Sequence, residues 1–183
     1  MNTWFSSDTH LGHSRIIGYC QRPFKSLEEM DLTIIRRWNE RVKKDDLVYF
    51  LGDFCFRKCL KEAPDSKTNA FDYYRQQLNG NIIFIQGNHD QNNSVKSKIQ
   101  NIVIKYAGKF IKLTHNPCHA EGKYDINLVG HVHNQWAVQQ RTMDCHITTL
   151  VNVGVDVWKF RPVCFNEIMQ AINKYNKENK NEE

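Results

Sequence analysis

The sequence predicts an α/β fold in one domain, with two sheets stacked as a sandwich. Three observations predict it. Short runs rich in Val, Ile, Leu, Phe and Thr recur between turn residues, as strands do. Helical periodicity falls between the early runs and again near the end, the alternation that builds α/β units. The later runs follow one another with few helices between them, which reads as a more antiparallel second half.

Thr3 to Ser7 is the first strand candidate. Ser26-Leu27-Glu28-Glu29 then has the form of a capping box, and Met30, Ile34, Trp38 and Val42 recur at helical spacing as a core-facing stripe. Leu47 to Leu51 and Ile82 to Gln86 are apolar throughout, as in strands buried on both faces. Between them, residues 57–68 are rich in Lys and contain Pro64, which reads as an exposed loop. Residues 71–78 read as a short helix stopped by Asn79-Gly80. The remaining strands are Ile102 to Tyr106, Phe110 to Thr114, Ile126 to Val129 and Thr149 to Val155. A last helix starts near Asn166, with Ile168, Ile172 and Tyr175 on one face, and 173–183 reads as a frayed polar tail.

A chain of 183 residues suits a single domain, 1–183, with a sizeable core. Its 40% hydrophobic and 25% charged content is ordinary for a globular protein. The net charge of +5 is spread over separate pairs such as Arg36-Arg37 and Lys43-Lys44, not gathered into a nucleic-acid footprint. There is no basic leader with an apolar core and no run of membrane-spanning length, so no membrane role is expected. The six cysteines are dispersed without a CxxC pair, which favours free thiols and a cytoplasmic setting. Cys55 and Cys59 read as packing thiols, and His119 and His146 as surface or loop residues.

The informative residues sit where strands end. The first strand runs into Asp8-Thr9-His10 and the second into Gly52-Asp53. The third runs into Gly87-Asn88-His89-Asp90, the strand through Leu113 into His115, and the strand 126–129 into Gly130-His131-Val132-His133. Each alone is turn chemistry more often than a site. Together they lie where ligands bind in open α/β sheets, outside the carboxyl ends of the strands. Asp8, His10, Asp53, Asn88, His115, His131 and His133 form a nitrogen and oxygen donor set without sulfur. Seven side chains exceed one tetrahedral ion and suit two divalent ions sharing a carboxylate. Imidazole-rich spheres favour Mn2+, Fe2+/3+, Zn2+ or Ni2+ over Ca2+ or Mg2+. Two carboxylates leave such a pair net positive, and phosphate is the natural anion.

This ordered set, spanning residues 8 to 133, resembles the calcineurin-like metallophosphoesterases. The resemblance implies a four-layer α/β/β/α sandwich with two mixed sheets and a dinuclear metal site at the strand ends. It implies Asp8, His10, Asp53 and His133 around one ion. Asp53 bridges to the second, which Asn88, His115 and His131 also hold. It makes His89 the general acid facing the substrate phosphate, oriented by Asp90. Many members carry a second Gly shortly after the Gly-Asp motif, whereas this chain reads Gly52-Asp53-Phe54-Cys55-Phe56-Arg57. The implied reaction is hydrolysis of a phosphomonoester or phosphodiester by a metal-bridging hydroxide. The substrate could extend to a nucleotide or nucleic-acid end, with His13 and Arg15 as candidate substrate contacts. Asn152, Gly154 and Asp156 read as a structural turn near the site. A non-catalytic metal-binding interaction module on the same scaffold is the alternative, and it would be expected to lose a ligand or the acid histidine. All eight positions are present. The HxHxDH pattern of metallo-β-lactamase-like hydrolases fails at Asn134-Gln135, and a barrel amidohydrolase needs a longer chain.

Overall fold

The computed structural model describes residues 1–56, 69–90, 95–143 and 145–180. Its backbone is an α/β sandwich of two mixed sheets. The first sheet orders its strands β3-β2-β1-β9, from β1 (Thr3–Ser6), β2 (Leu47–Phe50), β3 (Asn81–Phe84) and β9 (Val163–Cys164). The second orders them β4-β5-β6-β8-β7, from β4 (Asn101–Tyr106), β5 (Lys109–Thr114), β6 (Ile126–Val129), β7 (Val138–Met143) and β8 (His146–Asn152).

β1, β2 and β3 are parallel, with β9 antiparallel at one side. In the second sheet β5, β6 and β8 are parallel, and only the edges β4 and β7 pair antiparallel. The second sheet is thus the more antiparallel of the two, as expected, with antiparallel pairings at both edges against one in the first sheet, but its central strands are parallel. The crossover from β5 to β6 uses an irregular segment with a 3-10 turn at Pro117–His119, not a helix, so helix spacing could not reveal it. β7 was not anticipated because its residues, Val-Gln-Gln-Arg-Thr-Met, are mostly polar. β3 is also not buried on both faces. It is the edge of its sheet, and none of its four residues is fully buried.

The helices follow local signals more closely. In α2 (Leu27–Arg41) the Ser26 Oγ accepts the Glu29 N–H at 3.1 Å, as a capping box requires. The reciprocal bond is displaced by one residue, since Glu29 Oε2 accepts from Lys25 N at 2.7 Å. Met30, Ile34, Trp38 and Val42 are all buried, each worth about 1.5–3 kcal/mol of burial for its side chain. α3 spans Ala70–Arg75 and is capped by Asn69, with Gly80 at φ +95° closing the following turn. α1 (Arg15–Tyr19) is a short helix without a capping side chain and was not expected. α4 (Phe165–Lys180) continues into the stretch expected to fray, and 181–183 lie outside the described residues. So do the expected loop 57–68 and Cys59.

Two cores result. Met30, Ile34 and Trp38 of α2 and Tyr74 of α3 pack with Trp4, Val48 and Phe50 on one face of the first sheet. The other face, through Phe5, Leu51 and Ile85, meets Ile111, Leu113, Leu128 and Val151 of the second sheet, joined by Phe165, Ile168 and Ile172 of α4. This second core stacks the two sheets on each other. An isolated parallel bridge between Ser7 and Gly154 ties β1 to the end of β8.

Candidate metal centre

At that shared end the loops after the strands are bonded to one another. Asp8 N donates to Gly52 O at 3.0 Å, His10 N to Asp53 O at 3.1 Å and Gly130 N to His115 O at 2.9 Å. The turns are tight. Asp8, His10, Asp53, His131 and His133 have φ of 57°, 48°, 58°, 72° and 48°. A left-handed backbone costs a non-glycine residue about 1–2 kcal/mol, and such strain gathers at functional sites. Asn88, whose motif reads as a left-handed turn residue, is not among them. Gly87 serves close approach instead of a special φ, because a Cβ there would lie 2.2 Å from Asp53 Oδ1.

All seven expected donors converge. Asp53 Oδ1 accepts the His89 N–H at 3.0 Å. Its Oδ2 lies 3.5 Å from both His10 Nε2 and His115 Nε2, between the two halves of the set. Asn88 Oδ1 lies 2.8 Å from His115 Nε2 and 3.0 Å from His131 Nδ1. Asp8 Oδ2 accepts His131 N at 2.9 Å, while Asp8 Oδ1 and His10 Nε2 are buried without a hydrogen-bond partner among the described residues. Among the described residues, Asp8, His10 and His133 form one group able to hold a cation, and Asp8, Asp53 and His115 another. A third group, Cys20, His133 and Asp156, is a poor cation site because the Arg22 guanidinium already pairs with Asp156 at 2.8 Å.

The donor set fits metal. The Leu51 carbonyl can only accept, so His115 Nδ1 donates to it at 2.7 Å. The remaining ring nitrogen, Nε2, faces Asn88 Oδ1, which offers only lone pairs. A cation between such atoms satisfies them, as it would Asp8 Oδ1 and His10 Nε2. Electrostatics agree. Burial first, and then neighbouring positive charge on His133 and Arg22, holds His10 well below 6.5, so its ring is a neutral donor. Burial likewise lowers His131 and raises Asp8, which marks both as short of counter-charge. His133 is the exception. Burial pulls it down, but the hydrogen bond to Asp156, with help from Cys20 and Asp8, raises it to about 10.

Outside the donor set, His89 is exposed and its ring stands edge-on to His10 at 5.8 Å. Asp90, expected to orient His89, is buried and accepts three backbone N–H bonds, from Asp53 and Gly87 on Oδ2 and from Phe54 on Oδ1. These bonds clamp the 52–54 turn to the 87–90 turn, which carries His89. His13 stacks on Phe56 at 4.4 Å, and the two line an open cleft of about 320 Å³ with Gly12, Ser14 and Arg15. Sequence reading missed Arg22 and Phe56 and took Asp156 for a turn former; no local motif marks any of them. Asn152 accepts Gly154 N at 2.8 Å within its own turn and donates to the His133 and Trp136 carbonyls at 2.7 and 2.9 Å.

Known proteins resemble this chain in sequence and in fold. A profile of the calcineurin-like phosphoesterase superfamily domain matches residues 1–162. An uncharacterized protein of Methanocaldococcus jannaschii is 35% identical over 177 residues, 92% of this chain and 89% of that protein. The gene 66 protein of Mycobacterium phage L5 is 34% identical over 89 residues, 49% of this chain and 40% of its own length. The crystal structure of a protein of unknown function from Aquifex aeolicus superposes with a TM-score of 0.64 at 24% identity, covering 92% of this chain and 98% of that one. That last likeness shows the fold. Among the described residues no helix is long and apolar enough to cross a membrane.

Proposed function

Because the chain belongs to the calcineurin-like phosphoesterase superfamily, we propose that it hydrolyses a phosphomonoester or phosphodiester at a dinuclear metal centre, with His89 as general acid. The observation that supports this most is Asp53 Oδ2, which lies 3.5 Å from both His10 Nε2 and His115 Nε2 and so is within reach of both donor groups. Asp8, His10, Asp53 and His133 would hold one ion, and Asp53, Asn88, His115 and His131 the other. When bound, such a pair supplies Lewis acidity toward the phosphate and lowers the pKa of bound water toward about 7. Mn2+, Fe2+/3+, Zn2+ and Ni2+ all suit this donor set.

The chain's own residues do the rest. Asp8 and Asp53 neutralise only part of the ions' charge, so the centre attracts an anionic ester. Neutral His10 offers Nε2 without giving up a proton. His89, exposed beside His10, hands a proton to the leaving oxygen, a step worth about 10²–10⁴ in rate. His13 and Arg15 line the adjoining cleft and contact the remainder of the substrate. The setting we propose is the cytoplasm, where the five described cysteines, none in a disulfide with another, stay reduced.

The test is a panel of a nitrophenyl monoester, its diester, cyclic nucleotides and short oligonucleotides, each assayed with and without added metal. Metal-dependent release of product from at least one is expected. Ions bound with no hydrolysis of any would leave a non-catalytic metal-binding module as the reading.

A further inference from the structure

One donor of the candidate centre is held by charges that sequence reading did not associate with it. His133 Nδ1 lies 3.2 Å from Asp156 Oδ2. Asp156 is gripped by Arg22, whose Nε donates to Oδ1 at 2.8 Å and Nη2 to Oδ2 at 2.9 Å. Both side chains are 2% exposed or less. The same guanidinium reaches two backbone carbonyls, Asp8 O at 2.7 Å through Nη2 and Thr9 O at 2.9 Å through Nη1. Three separated segments meet here: the stretch after α1, the loop after β1 and the 3-10 turn Val155–Val157 after β8.

Stability is a poor account of this arrangement, because a buried ion pair repays little more than its own desolvation. Its geometry is specific, however. An imidazole whose Nδ1 donates to a carboxylate has only Nε2 left to offer. The two carbonyls that Arg22 takes belong to the loop Asp8-Thr9-His10, where Asp8 and His10 flank Thr9 in left-handed conformations.

We propose that Asp156 and Arg22 are positioning residues for one of the two ions: Asp156 fixes the His133 tautomer that presents Nε2, and Arg22 fixes Asp156 together with the loop carrying Asp8 and His10. The inference rests on the dinuclear reading above. It assigns Asp156 and Arg22 to the ion of Asp8, His10 and His133, and leaves the ion of Asn88, His115 and His131 independent of them.

Cobalt(II) binding to the whole chain tests this, by equilibrium dialysis for stoichiometry and affinity and by visible absorption for coordination. The unaltered chain is expected to bind two ions. Asp156→Asn keeps the volume but removes the charge, and should weaken one ion by about 10- to 100-fold while the other keeps its affinity. His133→Ala should affect the same ion and Asn88→Ala the other. Asp156→Glu, which restores the charge on a longer arm, should recover part of the loss. Arg22→Lys keeps the cation but loses the fork, should weaken the same ion, and carries the test if Asp156→Asn does not fold. Two ions at unaltered affinity in both Asp156→Asn and Arg22→Lys would overturn the positioning role and leave the two-ion reading standing. Equal weakening of both ions would overturn it too, since that marks general loosening. An unaltered chain that binds fewer than two ions would remove the dinuclear reading itself, and the positioning role with it.

Discussion

His89 and Gly87 are neighbours in one turn whose substitution should fail in different ways. His89 is exposed, and its backbone N–H donates to Asp53 Oδ1, a bond that an alanine keeps. His89→Ala is therefore expected to retain its metal while turnover falls by about 10²–10⁴, measured by metal analysis alongside steady-state kinetics. Hydrolysis at the unaltered rate would remove the acid role. Gly87→Ala should do the opposite of sparing the metal. Its methyl would sit 2.2 Å from Asp53 Oδ1 and 2.4 Å from Asp53 N, so the carboxylate between the two histidines must move. The expected outcome is at least one ion lost in metal analysis. Gly18→Ala is the control, because its Cβ meets nothing within 4 Å. It should keep both ions and gain a few tenths to about 1 kcal/mol of stability as a helical alanine.

α2 is joined to the site loop by a buried carboxylate. Asp31 accepts Gly12 N at 3.1 Å and the Tyr74 hydroxyl of α3 at 2.8 Å, both on Oδ2. Burial pushes its carboxyl up to about 7, against the pull of those hydrogen bonds and of Arg22. In the unfolded chain the group ionises near its ordinary value of 3.8, so the folded state holds a proton that the unfolded state has released. The stability this proton confers is complete at low pH and is lost as pH rises toward the folded value of about 7. Asp31→Asn carries no such proton. The difference in unfolding free energy between unaltered chain and variant should shrink from about pH 5 to about pH 8, by denaturant titration of the metal-free proteins. A difference constant across that range would sink the assignment.

For the molecule as a whole, the two sheets have to be assembled before any metal donor set exists, since one set of strands supplies Asp8, Asp53 and Asn88 and the other His115, His131 and His133. Ions that bind only this assembled state stabilise it by mass action, by about 2.7 kcal/mol at a hundredfold excess over Kd. Chelation should lower the unfolding temperature and readdition should restore it, in a calorimetric scan. An unchanged transition would count against a resident metal. How much of this was legible beforehand varies by element. Met30, Ile34, Trp38 and Val42 announced α2 because helical burial depends on spacing along the chain alone. Asp8, His10, Asp53, Asn88, His115, His131 and His133 could be picked out because each follows a strand-forming run, and parallel strands deliver such residues to one edge. The parallel pairing of β5, β6 and β8 could not be read, because it depends on a helix-free crossover and on a polar edge strand. Arg22 and Asp156 lie 134 positions apart, so their pairing exists only once the chain has folded. The same holds for Asp90, whose carboxylate finds the Asp53 and Phe54 amides 37 and 36 positions away. Identity and order of the candidate donors were legible in the sequence, since they need only a residue type at a strand end. What holds each donor in place was decided by tertiary structure, since a buried charge takes its partner from whatever packing brings within hydrogen-bond reach.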